Sequence, residues 1–219
     1  MADWQNLSDR VNNVAPSATL AVDSKAKAMK AQGIDIVAYG AGEPNFPTPD
    51  YIVDAAAAAC RDPKNHRYTP TAGLPELREA IARKTLRDSG YEVSPDQVVV
   101  TNGGKQSVYE VFQLLLNPGD EVIIPAPYWT SYPEVVKLAG GKPVPVFSGA
   151  EQGFEPDIDK IEAARTDRTK AIIITSPSNP TGAVAGIEQA VGVVLWVMLT
   201  GEEDQQAAID SLLDALDHR

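Results

Sequence analysis

The sequence has 219 residues, 43% of them hydrophobic, and is therefore long enough to bury a sizeable core. Its net charge of −11 argues against nucleic-acid binding and against attraction to an anionic membrane, because both favour clustered positive charge. The polar N-terminus is unlike a signal peptide, and the apolar run at 191–199 is about half as long as a membrane-spanning helix. We expect a cytoplasmic protein, and a single cysteine, Cys60, gives no reason to expect a disulfide or a metal site.

Helices are predicted first along the chain, and an alternation of strands and helices follows. Helical patterns cover 17–32, 51–60, 74–89, 106–116, 132–139 and 157–164, and Gly33 is placed to end the first. Strands are predicted at 34–39, 97–101, 121–125, 142–147 and 171–175. Short apolar strands separated by helices predict an α/β fold with a mostly parallel sheet covered on both faces. In such sheets ligands bind at loops that follow the carboxyl ends of the strands.

The loop after the strand at 97–101 reads TNGGK and leads into a helix. Gly103 and Gly104 let the backbone approach a phosphate closely at the positive end of the helix dipole, and Lys105 adds a charge. The spacing matches neither a Walker loop nor a dinucleotide fingerprint, so an ordinary strand–helix turn remains the alternative.

Two later loops carry an aromatic ring and an amide. In PAPYWTSYP (125–133), Trp129 is suited to stacking on a flat heteroaromatic ring, or else belongs to a core or an interface. In TSPSNPTG (175–182), Asn179 lies between two prolines that restrict its backbone, so its amide is held for a ligand oxygen. The alternative for Asn179 is a simple Asx-type turn.

Six blocks in this order resemble the class I/II aminotransferases, which depend on pyridoxal phosphate (PLP), and resemble most closely the bacterial aspartate and aspartate/prephenate subgroup. The blocks are LSDRVNNVAPSATLAV, AYGAGEPNFPTP, RYTPTAGLPELREAIA, VVVTNGGKQSVY, PGDEVIIPAPYWTSYPE and IIITSPSNPTGAV. The resemblance covers residues 7–184. It implies a PLP-transferase-like large domain that is incomplete at its C-terminal side. It also implies transfer of an amino group from an acidic amino acid to a 2-oxo acid.

The resemblance also implies three regions and a role for each matched residue. Residues 1–45 form an N-terminal arm and part of a small domain, 46–184 the first half of the PLP-binding domain, and 185–219 a divergent strand and helix. Cofactor contacts fall to Gly103, Gly104 and Lys105 at the phosphate, to Trp129 and Asn179 at the ring, and to Tyr68 across a homodimer interface. Substrate contacts fall to Gly42, Trp129 and Asn179, and Lys105 is also implicated in binding the distal carboxylate.

Beyond Val184 the sequence departs from the family pattern. Thr200 stands where the aspartate that pairs with the cofactor's pyridine nitrogen is expected, and Asp204 fits only a different register. No lysine follows Lys170, and by the family's spacing the Schiff-base lysine and the substrate arginine lie beyond residue 219. No catalytic residue is therefore assigned, and we expect a truncated, inactive aminotransferase. Two alternatives remain open: a non-catalytic PLP-binding or subunit-pairing module, and a chain that does not fold stably alone because its sheet has an open edge.

Overall fold

The computed structural model describes residues 7–40 and 42–185. The chain divides into two compact units, one formed by Met1–Ala21 and Val108–Arg219 and the other by Val22–Ser107. The strand and helix predicted within 185–219 lie outside the described residues, and the predicted region limits at 45 and 184 stay a prediction.

The described elements alternate as the sequence predicts in the later part of the chain. The helices are α1 Asp9–Asn12, α2 Ala18–Ala31, α3 Asp50–Arg61, α4 Pro75–Ser89, α5 Gly104–Leu115, α6 Ser131–Leu138 and α7 Ile158–Ala164. The strands are β1 Glu121–Ala126, β2 Lys142–Phe147 and β3 Thr169–Ile172, and short 3-10 turns occur at Pro63–Asn65, Pro95–Gln97 and Ala150–Gln152. Among the described residues, no helix is both long enough and apolar enough to cross a membrane.

The three strands form a parallel sheet in the order β2-β1-β3. Successive side chains of the central strand β1 point to opposite faces, and Val122, Ile123 and Ile124 are all fully buried. Val122 and Ile124 pack with residues of α5 and α6, whereas Ile123 packs with Val146 and with Ile161 of α7. Both faces of β1 are therefore covered by helices, which explains why its sequence is continuously apolar and confirms the predicted α/β class.

The amino end of the sheet carries a buried carboxylate. Glu121 is only 2% exposed, and its oxygens accept hydrogen bonds from Lys142 Nζ at 2.9 Å, Thr166 Oγ1 at 2.7 Å and Arg168 Nη2 at 3.2 Å. The hydrogen bond from Lys142, and then those from Thr166 and Arg168, lower the pKa of Glu121 to about 2 despite burial. This cluster ties together the starts of the three strands.

The unit Val22–Ser107 is held by a small core and by one partly buried guanidinium. Ala26, Ala82 and Val98 are its buried apolar residues. Arg78 of α4 donates from Nε to the Val98 carbonyl at 3.0 Å and from Nη2 to Asp96 at 3.2 Å, which fixes α4 on the turn that precedes residues 98–101. Helix α3 has no buried residue, so this unit presents considerable apolar surface.

Two predicted strands in the unit Val22–Ser107 are wrong. Residues 34–39 and 98–101 have no strand assignment, and Gln97 ends a 3-10 turn. Val100 makes a single backbone bond, N–H to the Ala72 carbonyl at 2.9 Å. A strand needs a partner along its whole length, and the described part of this unit supplies none. Smaller shifts affect α5, which starts two residues before its predicted limit, and β3, which starts at Thr169 and ends at Ile172.

Candidate active site

A cleft lies at the carboxyl ends of β1 and β3, in the unit that contains the sheet. Its walls come from residues 124–128, Tyr132, Phe154, Pro156 and several residues between 173 and 185. This is the place where ligands bind in open parallel sheets, because the loops after neighbouring strands meet there. Both aromatic- and proline-rich loops singled out in the sequence contribute to it.

Trp129 does not itself line the cleft, but its ring contacts Tyr132, which does. Its ring packs edge-to-face on Tyr132, with ring centroids 5.4 Å apart and planes at 89°. The Tyr132 N–H also donates to the Trp129 carbonyl at 3.0 Å, which turns the chain into α6. The edge-to-face contact is a preferred aromatic geometry and stabilises this orientation of the Trp129 ring.

Asn179 projects from a loop that is closed by its own backbone. The Ser178 N–H donates to the Ala183 carbonyl and the Gly182 N–H donates to the Ser178 carbonyl, both at 2.8 Å. The Asn179 side chain lines the cleft, and among the described residues it has no hydrogen-bond partner. An amide held in this way is available to a ligand oxygen or nitrogen.

The predicted phosphate loop opens α5 in the unit Val22–Ser107. Gly103 has φ 76°, in the left-handed region that favours glycine, and its carbonyl accepts from Thr101 Oγ1 at 3.1 Å. Thr101 Oγ1 also lies 2.6 Å from Ser107 Oγ, so the turn is fastened to the helix it precedes. Gly104 and Lys105 are exposed, and nothing lies within 4 Å of a Cβ built at Gly103 or Gly104. The backbone at this helix N-terminus is therefore accessible to an anion.

The remaining predicted residues, Gly42 and Tyr68, are also in the unit Val22–Ser107 and are exposed. The Tyr68 side chain is fully exposed. The predicted residues therefore fall into two sets. Trp129 and Asn179 belong to the unit that contains the sheet, where Asn179 lines the cleft, and Gly42, Tyr68 and the loop at 103–105 belong to the other unit.

Two cleft residues, Tyr132 and Phe154, carried no signal strong enough to be singled out from the sequence. Tyr132 lies within the aromatic-rich loop, and its Oη is 2.8 Å from Thr175 Oγ1. Phe154 adopts φ 62°, a left-handed conformation that bulky residues rarely take, and its ring lines the cleft. The only hint at Phe154 was the preceding Gly153, which marks a turn.

Comparison with known proteins relates this arrangement to one enzyme family. The family model for aminotransferase class I and II matches residues 34–197, which extends past Val184, where the resemblance was expected to end. An aspartate aminotransferase of Streptomyces avermitilis is 58% identical over 197 residues, which is 90% of this chain and 48% of that protein. A Streptomyces griseus protein described as "Probable aspartate aminotransferase" is 57% identical over 90% of this chain and 92% of its own length.

The solved structures agree with the sequence relatives. The aspartate aminotransferase of Thermus thermophilus with maleate superimposes with a TM-score of 0.82 at 48% identity, covering 87% of this chain and 50% of that one. The chain thus spans about half the length of the Streptomyces avermitilis and Thermus proteins. The described sheet and its helices are part of the large domain of this fold, as predicted. The chain belongs to the class I and II aminotransferase family.

Proposed function

We propose that these 219 residues supply the cofactor- and substrate-binding part of an aspartate-type aminotransferase. The reaction is transfer of an amino group from an acidic amino acid to a 2-oxo acid. The observation that carries this proposal is the cleft at the ends of β1 and β3, lined by the Asn179 loop and by the Tyr132 ring that holds Trp129.

The chemistry of the cleft fits PLP. A flat aromatic ring with a phenolic oxygen is complementary to an indole face and a carboxamide, which are the groups Trp129 and Asn179 present. Bound PLP supplies a ring that withdraws electrons from the bonds of an attached amino acid. In this proposal Trp129 stacks on the ring, and Asn179 donates a hydrogen bond to its phenolic oxygen.

Roles in the unit Val22–Ser107 rest on the family resemblance and on local geometry. We assign Gly103, Gly104 and Lys105 to the phosphate, since the backbone there is exposed at a helix N-terminus. Lys105 also supplies a positive charge for a distal carboxylate, which favours aspartate or glutamate. The Thermus relative was solved with maleate, a dicarboxylate, and this supports an acidic substrate.

Two further assignments concern the substrate and a second subunit. We assign Gly42 to the substrate α-carboxylate through its backbone. We assign Tyr68 to the phosphate of a cofactor in the partner subunit of a homodimer, a role that an exposed phenol can fill.

Within these residues the proposed function is binding without catalysis. No lysine follows Lys170, and the family resemblance puts the lysine that would carry the cofactor and move the substrate proton further along the sequence, so we assign that role to no residue here. A polypeptide of this sequence alone is expected to bind PLP and leave aspartate unconverted.

Trapping with borohydride tests the proposal. The 219-residue protein is incubated with PLP and reduced, and its peptides are mapped by mass spectrometry beside an assay with aspartate and 2-oxoglutarate. We expect saturable cofactor binding, scattered substoichiometric lysine adducts and no turnover above that of free PLP. One stoichiometric adduct on a single lysine, together with turnover, would contradict binding without catalysis. Absence of saturable binding would contradict the proposed function itself.

A further inference from the structure

We propose that Tyr132 is a positioning residue that sets the spacing between the two walls of the cleft. One wall contains Tyr132, whose ring contacts Trp129, and the other contains the Asn179 loop. The consequence for cofactor binding rests on the proposed function, whereas the mechanical role of Tyr132 does not depend on it.

Tyr132 lines the cleft and contacts the neighbouring Trp129 ring. It is the second residue of α6, and its half-buried ring packs against the core formed by residues of α5, α6 and β1. The edge of one ring meets the face of the other at 5.4 Å, so movement of Tyr132 would displace Trp129. The core contact makes Tyr132 a rigid support because packed interiors resist small shifts.

The Tyr132 hydroxyl reaches the opposite wall. It forms a 2.8 Å hydrogen bond with Thr175 Oγ1, and the two residues are 43 positions apart in the sequence. Thr175 follows β3 and begins the segment that carries Asn179. Both groups are hydroxyls, so one of them donates in this bond and the other keeps its own proton for a further acceptor.

This bond is distinctive because the other hydrogen bonds of the Asn179 segment are internal to it. Over the described part of the chain, the remaining bonds of residues 175–185 join Ser178 to Ala183, Gly182 to Ser178, Ala183 to Thr181 and Ala185 to Ser176. They shape the segment without attaching it to α6. Among the described residues, the Tyr132–Thr175 bond is therefore the hydrogen bond that attaches the segment carrying Asn179 to α6, which begins two residues after Trp129.

A double-mutant cycle tests the link without cofactor. In a background with Trp4→Phe and Trp196→Phe, Trp129 is the only tryptophan of the chain, and quenching of its fluorescence by acrylamide reports how accessible its ring is. Tyr132→Phe keeps the ring and removes the hydroxyl, and Thr175→Val removes the partner. We expect quenching to rise by a similar factor in both variants and to rise no further in the double variant. Thr175→Ser restores the hydroxyl and should restore the original quenching.

The same proteins are then titrated with pyridoxamine phosphate, which has no aldehyde and so reports non-covalent binding alone. Tyr132→Phe and Thr175→Val should each weaken binding about 2- to 10-fold, the range for one lost hydrogen bond, with no further loss when combined. Tyr91→Phe, at an exposed tyrosine, is the matched control and should change neither measurement.

The outcomes separate the two proposals. Unchanged or strictly additive quenching in the cycle overturns the positioning role, even if every protein binds pyridoxamine phosphate. If the quenching changes of the two single variants are not additive but no protein binds pyridoxamine phosphate, the result supports the positioning role and contradicts the cofactor function. Coupled changes in both measurements support both.

Discussion

Glu121 and Lys142 are register partners on the parallel strands β1 and β2, and the Lys142 ammonium donates to the Glu121 carboxylate at 2.9 Å. The carboxylate is buried while the lysine is largely exposed. The pair lies at the amino end of the sheet, away from the cleft at the carboxyl ends. We therefore expect the pair to contribute to the stability of the fold without affecting the residues proposed to bind the cofactor.

Acidification is the first test of this cluster. Because the folded-state pKa of Glu121 is lowered from 4.5 to about 2, its ionised form stabilises the fold at neutral pH. That contribution is fully present above the unfolded value of 4.5 and is lost as pH falls from there toward 2. We expect Glu121→Gln to lower the free energy of unfolding by about 2 kcal/mol at pH 7. The difference in the free energy of unfolding between the variant and the wild type should shrink steadily below pH 4.5, as measured by urea unfolding at a series of pH values.

Glu162→Gln is the matched control, because Glu162 pairs with Arg165 on the surface at 2.8 Å. An exposed pair of this kind contributes about 0.5 kcal/mol or less. A loss for Glu162→Gln as large as that for Glu121→Gln would contradict a special role for the buried cluster.

Gly73 is the second test, because it is both left-handed and crowded. Its φ is 104°, and a Cβ built there would lie 2.6 Å from Val100 Cγ2. Gly73→Ala should therefore destabilise by about 2–3 kcal/mol through strain and overpacking together. Gly33→Ala isolates the strain, since Gly33 has φ 77° with nothing within 4 Å, and should cost only about 1 kcal/mol. Thermal unfolding of both variants measures the difference in stability. Equal losses of stability would show that the contact with Val100 adds no cost beyond the backbone strain.

The N-terminal segment gives a third prediction. The Glu134 carboxylate of α6 accepts from the Ala15 N–H at 2.8 Å and from Lys137 Nζ at 2.9 Å. Glu134→Ala removes the acceptor that fastens the segment, so trypsin should cleave after Arg10 several-fold faster, in line with a loss of about 1 kcal/mol in local stability. Lys137→Met removes the ion pair and keeps the acceptor, so it should leave the rate near wild type. Equal acceleration in both variants would assign the effect to the ion pair instead.

The sequence predicted the helices and strands whose burial pattern can be seen within their own residues. It wrongly predicted strands that would need a partner strand elsewhere in the chain. The apolar run of β1 and the periodicity of the helices were sufficient to predict these elements, because each pattern shows which faces of its own element are buried. Residues 34–39 and 97–101 share strand-like composition, but composition does not provide the neighbouring strand that a ladder requires.

The loops that contribute to the cleft could be predicted from the sequence, but the contacts between them could not. Trp129 and Asn179 were singled out because rings and amides next to prolines are conspicuous. The Tyr132–Thr175 bond joins residues 43 positions apart, and no local pattern encodes that distance. The left-handed conformation of Phe154 was equally hidden, since a bulky side chain at positive φ contradicts ordinary preference.

The central claim is that residues of this chain bind the cofactor in the cleft, and equilibrium titration with pyridoxamine phosphate tests it most directly. The wild-type chain should bind saturably. Asn179→Ala should weaken binding about 10-fold, while Asn117→Ala, on an exposed turn, should leave it unchanged. Absence of saturable binding, or equal binding by wild type and Asn179→Ala, would contradict the account.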